Sequence, residues 1–267
     1  MGRVVKKQSS LSLLKCEVGA KSVAYLSGGE GPPLLFIHGW AVTPYAYGDA
    51  LSLAAHSGHR IIAPFLPGFG PSESLDAAWP SSLKVSEWIE SFLEESGEER
   101  PVVVAGHSLG GGFAASYVAN FPEKIERLFL LSSVGGHVGN GQGLIQSRSA
   151  LEWSISLPVD LLASQMAYGS LASIVGTGLF QLIRDPIWLW KLSRVARSYR
   201  LFGDLERVVD AGTKVYVVGA SSDRVITKDA VTQLAGYASV EPIWVPGTHS
   251  WISTHPESFV EILTSCC

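Results

Sequence analysis

A hydroxyl, a carboxylate and an imidazole, widely spaced along the chain, make up the side chains of a nucleophilic catalyst: Ser108, Asp223 and His249. A serine hydroxyl is a weak nucleophile at neutral pH. It needs a positioned base, most often histidine, and a carboxylate to orient that base. Ser108 lies in Gly106-His107-Ser108-Leu109-Gly110, after the apolar run at 101–105 and before the small-residue stretch at 111–119. G-x-S-x-G between a strand and a helix places its serine on a sharp turn, the hydroxyl projecting from the carboxyl edge of a sheet. The flanking glycines let the chain fold tightly around a residue in an unfavourable φ/ψ region.

The other two residues follow strands. Asp223 comes just after the apolar run at 214–218 and His249 just after the run at 240–245, so a parallel sheet would bring all three loops to one edge. Competing roles exist: Asp223 could cap a helix or pair with Arg224, and His255, before Pro256, reads as a loop or cap residue. His56 and His59 flank a turn and are expected in solvent; His107 is expected to pack beside the serine rather than act as the base. Asp204 and Asp210 precede their strand, and Ser132 and Ser133 stand where an alternative acid would follow residues 128–131. Acyl transfer also needs donors aimed at the developing oxyanion. The amide of Leu109 supplies one; that of Trp40, in His38-Gly39-Trp40 after the run at 34–37, supplies the other. Candidate substrate contacts are His38, Gly39, Trp40, His107 and Trp153.

The elements that must hold these residues alternate. Strands are expected at 11–18, 22–26, 34–37, 60–63, 101–105, 128–131, 214–218 and 240–245. Helices are expected at 45–56, 82–95, 111–119, 228–235 and 251–263. The continuous apolar runs suit strands buried on both faces, and the alternation suits a mostly parallel, doubly wound α/β sheet. From 135 to 205 the alternation stops, and the stretch reads as helical and rich in aromatics such as Trp153, Trp188 and Trp190. It is expected to be a helical cap (135–205) inserted in a core made of 1–134 and 206–267.

Charged residues make up 16% of the 267, below the ~25% usual for soluble domains, which leaves apolar surface for a large core and a pocket. A net charge of −4 without a long basic run argues against nucleic acid and against a polybasic membrane anchor. The apolar stretch at 171–183 is too short for a membrane span. No apolar segment follows Met1–Gln8, so no secretory signal is expected. Cys16, Cys266 and Cys267 suggest neither a disulfide framework nor a metal site. A cytoplasmic protein is the expectation.

Together, His38-Gly39-Trp40, Pro67-Gly68-Phe69-Gly70-Pro71-Ser72, Gly106–Gly110, Asp223-Arg224-Val225 and His249 resemble the α/β-hydrolase fold superfamily, especially its small capped members. The resemblance covers nearly the whole chain. Haloalkane dehalogenases and epoxide hydrolases of this superfamily carry an aspartate nucleophile, and Ser108 argues against both. The oxyanion loop looks most like carboxylesterases, which implies cleavage of a hydrophobic ester by a serine hydrolase with no metal or organic cofactor. C–C hydrolases of ring-cleavage products and thioesterases, which share the three side chains, are the enzymatic alternatives. A small-molecule receptor that keeps the fold, and a homodimer contact through the cap, are alternatives of another class.

Overall fold

The computed structural model describes residues 11–75, 81–97, 102–136, 195–196 and 199–266. Among the described residues, eight strands form one sheet: β1 (Ser12–Val18), β2 (Lys21–Gly28), β3 (Pro33–Ile37), β4 (Arg60–Pro64), β5 (Val102–His107), β6 (Ile125–Leu131), β7 (Lys214–Ala220) and β8 (Ile243–Val245). Their spatial order is β1-β2-β4-β3-β5-β6-β7-β8. β1 pairs antiparallel with β2, and β2 antiparallel with β4. Every pair from β4 to β8 is parallel. The fold is therefore α/β with a mostly parallel, doubly wound sheet.

Strand periodicity explains how an unbroken apolar run serves two cores. In β3, Leu35 and Ile37 join one buried cluster while Leu34 and Phe36 join the other. The same alternation divides Leu128 and Leu130 from Phe129 and Leu131 in β6. Burying each such side chain contributes about 1.5–3 kcal/mol, so both faces must be covered. Helices α2 (Ser82–Glu95), α3 (Leu109–Asn120), α4 (Phe202–Asp210) and α5 (Lys228–Tyr237) contribute to the first cluster. Helices α1 (Gly48–His56) and α7 (Pro256–Ser265) contribute to the second.

Several ends differ from expectation. The helix expected at 45–56 begins as a 3-10 turn, Pro44–Tyr47, before α1. The terminal helix is broken into α6 (Trp251–Thr254) and α7, because Pro256 bars His255 from helical geometry; His255 has φ −134° and ψ 64°. His59, expected in solvent, is buried: the β2–β3 turn lies on it, and a Cβ at Gly29 would collide with its carbonyl.

Most of the stretch expected as a cap, including Trp153, lies outside the described residues. Its end packs on the core: Tyr199 meets Phe113 edge-on at 5.8 Å, and Leu201 is fully buried beside Gly135. Helix α4 runs across residue 205, the expected boundary. Among the described residues, no helix is long and apolar enough to cross a membrane.

Candidate active site

The carboxyl ends of the parallel strands are stitched together beyond the strands themselves. Ser108 N–H donates to Leu131 O (3.0 Å), Ser132 N–H to Val218 O (2.8 Å), Ser221 N–H to Val245 O (2.8 Å) and Ser222 N–H to Gly247 O (3.0 Å). The loops carrying Ser108, Asp223 and His249 therefore leave the same edge in fixed register.

Ser108 sits between β5 and α3 with φ 56° and ψ −118°, a conformation that costs a non-glycine residue about 1–3 kcal/mol. Ser108 makes no side-chain cap bond to α3 and is 4% exposed. The two glycines of the motif are required by crowding. A Cβ on Gly106 would run into the Gly110 carbonyl, and one on Gly110 would run into the carbonyls of Ile37 and His38. The Leu109 amide opens α3, so its N–H has no carbonyl one turn back within the helix to bond.

Asp223 and His249 meet directly. His249 Nδ1 lies 2.9 Å from Asp223 Oδ2, and the His249 and Asp223 side chains are 4% and 1% exposed, respectively. Asp223 Oδ1 accepts from the amides of Val225 (2.7 Å) and Ile226 (2.9 Å). The carboxylate thus closes its own turn with one oxygen and holds the imidazole with the other. Burial on its own would raise the Asp223 carboxyl. The His249 charge and hydrogen bond and the two amides outweigh it and hold the group below the ordinary carboxylate range.

His249 is tied to the serine turn through His107. His107 Nε2 lies 3.0 Å from the His249 carbonyl, which can only accept, so Nε2 carries the proton. Nδ1 then accepts from the Tyr47 hydroxyl at 2.9 Å. The two imidazole rings lie 4.7 Å apart. Burial and the nearby His249 charge push His107 down to about 3, so it is neutral at physiological pH. His38 is likewise buried and pushed down to about 4 by desolvation. Its Nδ1 donates to Gly39 O (2.8 Å) and its Nε2 accepts from Leu66 N–H (3.0 Å). The sequence suggests both residues as substrate contacts; in the fold the ring nitrogens of each are engaged by neighbouring loops, which they brace.

Gly39 lies over the serine turn. A methyl there would stand 3.3 Å from Ser108 Cβ, His107 Nδ1 and the Tyr47 hydroxyl alike. The His38–Trp40 loop therefore approaches Ser108 from the side opposite β6, with Trp40 6% exposed. Tyr47 is the site residue that the sequence does not announce. It belongs to no motif, and its partner His107 is 60 positions away. Among the described residues, no group of three or more His, Cys, Asp or Glu could hold a metal ion.

A family model described as "Alpha/beta hydrolase family" matches residues 34–262. A provisionally named non-heme haloperoxidase of Mycobacterium phage D29 is 24% identical over 255 residues, covering 88% of this chain and 87% of that protein. The 2-hydroxymuconate semialdehyde hydrolase of Pseudomonas putida is 37% identical over 113 residues, covering 40% of this chain and 38% of that enzyme. Among solved structures, a serine hydrolase involved in carbazole degradation superposes with a TM-score of 0.77 at 17% identity, covering 96% of this chain and 98% of that one. At that identity the likeness speaks for the fold.

Proposed function

Because the chain belongs to the alpha/beta hydrolase family, we propose that it is a serine hydrolase that cleaves a carboxylic ester of a small-to-medium hydrophobic substrate through an acyl-enzyme. Ser108 Oγ attacks the acyl carbon while His249 Nε2 takes its proton. The collapsing tetrahedral intermediate expels the alcohol, which receives that proton from His249. A water then attacks the acyl-enzyme, gives its proton to His249, and the carboxylic acid leaves as Ser108 regains its hydrogen. Asp223 fixes the imidazole tautomer throughout, and the amides of Trp40 and Leu109 stabilise the oxyanion.

The observation that carries the proposal is the buried 2.9 Å pair of Asp223 and His249, linked through His107 to the strained turn at Ser108. A C–C hydrolase is the second reading. It is favoured by the 37% identity to an enzyme named for hydrolysing 2-hydroxymuconate semialdehyde, and it would use the same side chains on a different bond. The discriminating experiment is a panel of p-nitrophenyl esters of increasing acyl length beside a vinylogous diketone and an acyl thioester. Ester turnover that exceeds the other two supports the proposal. Turnover of the diketone alone establishes the second reading, and inactivity on all three returns the chain to the receptor class.

A further inference from the structure

One hydrogen-bonded chain runs through the site from loop to loop, and the reaction above assigns it no step. Gly39 N–H donates to the Tyr47 hydroxyl at 3.3 Å, the Tyr47 hydroxyl donates to His107 Nδ1 at 2.9 Å, and His107 Nε2–H donates to the His249 carbonyl at 3.0 Å. The directions are forced. A carbonyl can only accept, a neutral imidazole carries one proton, and an amide N–H can only donate. The chain therefore starts one residue before the Trp40 amide and passes through the neighbour of Ser108. It ends on the backbone of His249.

Both side chains of this relay are desolvated. His107 is 5% exposed and Tyr47 4%, and burial raises the Tyr47 phenol well above its ordinary value, so it stays a donor. In such surroundings an orphaned donor or acceptor costs about 1–3 kcal/mol, which makes the arrangement close to all-or-none. The Tyr47 ring is anchored independently of its hydroxyl, packing on Phe36 at 4.8 Å in the second core cluster. The 3-10 turn that carries Tyr47 is tied in turn to α6, since Ser253 Oγ donates to Ala46 O at 2.7 Å.

We propose that Tyr47 and His107 are positioning residues, forming a relay that sets the spacing between the Gly39–Trp40 peptide and the His249 loop. The inference rests on the hydrolase reading. The relay adds no proton transfer; it holds the oxyanion donor and the base on either side of Ser108. A displacement of about 1 Å at a reacting centre costs about a hundredfold in rate.

The test is Tyr47→Phe in the full chain, which keeps the ring on Phe36 and removes the hydroxyl. Expected is a fall in kcat of roughly 10- to 100-fold on the best p-nitrophenyl ester with KM within about threefold, the pattern of an interaction felt mainly in the transition state. A second measurement needs no turnover. Nitrogen-15 spectra of the native chain should show His107 as the Nε2–H tautomer, and Tyr47→Phe should shift both His107 Nδ1 and the Gly39 amide. Ester turnover in the native chain with kcat unchanged within twofold in Tyr47→Phe overturns the relay and leaves the hydrolase reading standing. An Nδ1–H tautomer at His107, or a Gly39 amide unmoved by the substitution, also overturns it. A native chain inert to the esters, the thioester and the diketone alike overturns the hydrolase reading instead, and with it the relay's catalytic purpose; the spectra then decide whether the link exists.

Discussion

Replacing Asp223 by Asn isolates the carboxylate's charge from its shape. The carbonyl oxygen of the introduced amide would keep the bonds to the Val225 and Ile226 amides, at 2.7 and 2.9 Å, so the turn survives. What changes is the other atom, which now offers N–H where His249 Nδ1 needs an acceptor, 2.9 Å away. Two losses follow. The imidazolium formed when His249 takes the Ser108 proton loses its counter-charge. With charge centres about 4 Å apart and an effective dielectric near 20, that attraction is about 4 kcal/mol. It corresponds to roughly a thousandfold in rate. The amide also favours the imidazole tautomer whose Nε2 already holds a proton, which adds to the loss. The assay is kcat on a p-nitrophenyl ester together with the rate of fluorophosphonate labelling. Expected is a loss of about 10³-fold or more in both, with the melting temperature nearly unchanged. A variant within tenfold of the native chain would refute the reasoning, because a buried counter-charge at this distance cannot be that dispensable.

Three other outcomes follow from the same geometry. Ser108→Gly should abolish labelling yet raise stability by about 1 kcal/mol in urea unfolding, since it relieves a non-glycine residue at φ 56°; equal or lower stability would show that the turn stores no strain. His38 and His107 are held neutral at about 4 and about 3, below the ordinary 6.5, so the unfolded chain binds more protons than the folded one as pH falls below 6.5. Stability should be full above that value and decline toward pH 4 by up to about 1.4 kcal/mol per pH unit for each histidine; replacing His107 by Asn should remove one histidine's share of the slope, and an unaltered slope would contradict the assignment. Asp223→Ala, unlike Asp223→Asn, strands two amides and an imidazole, so it should cost about 2–4 kcal/mol of stability by the same unfolding assay.

Local chemistry made much of this molecule readable from its residues. The helix expected at 82–95 spans Ser82–Glu95, because its apolar residues recur at helical spacing and Ser81 caps its start. The run at 34–37 is a strand parallel to both neighbours and buried on both faces, as its unbroken apolar character implied, and residues 61–63 of the run at 60–63 are buried in a strand parallel to β3 and antiparallel to β2. The less legible features depend on contacts between distant residues. The strand expected at 240–245 is only Ile243–Val245, since pairing with β7 at Val218–Ala220 sets its length and β-propensity does not. Asp223 and His249 could be nominated from their places after strands, but the double use of the carboxylate appears only once its loop is folded. Tyr47 and the burial of His59 had no sequence signal. A tyrosine hydroxyl that bridges residues 39 and 107 leaves no periodicity behind.

In the proposed reaction Ser108 becomes covalently bound to the acyl group. The most direct test of that step is to treat the native chain with a fluorophosphonate and locate the adduct by peptide mass spectrometry. One adduct per chain is expected, on Ser108, absent from Ser108→Ala and strongly slowed in His249→Ala. An adduct on another residue, or a folded native chain that stays unlabelled, would contradict it.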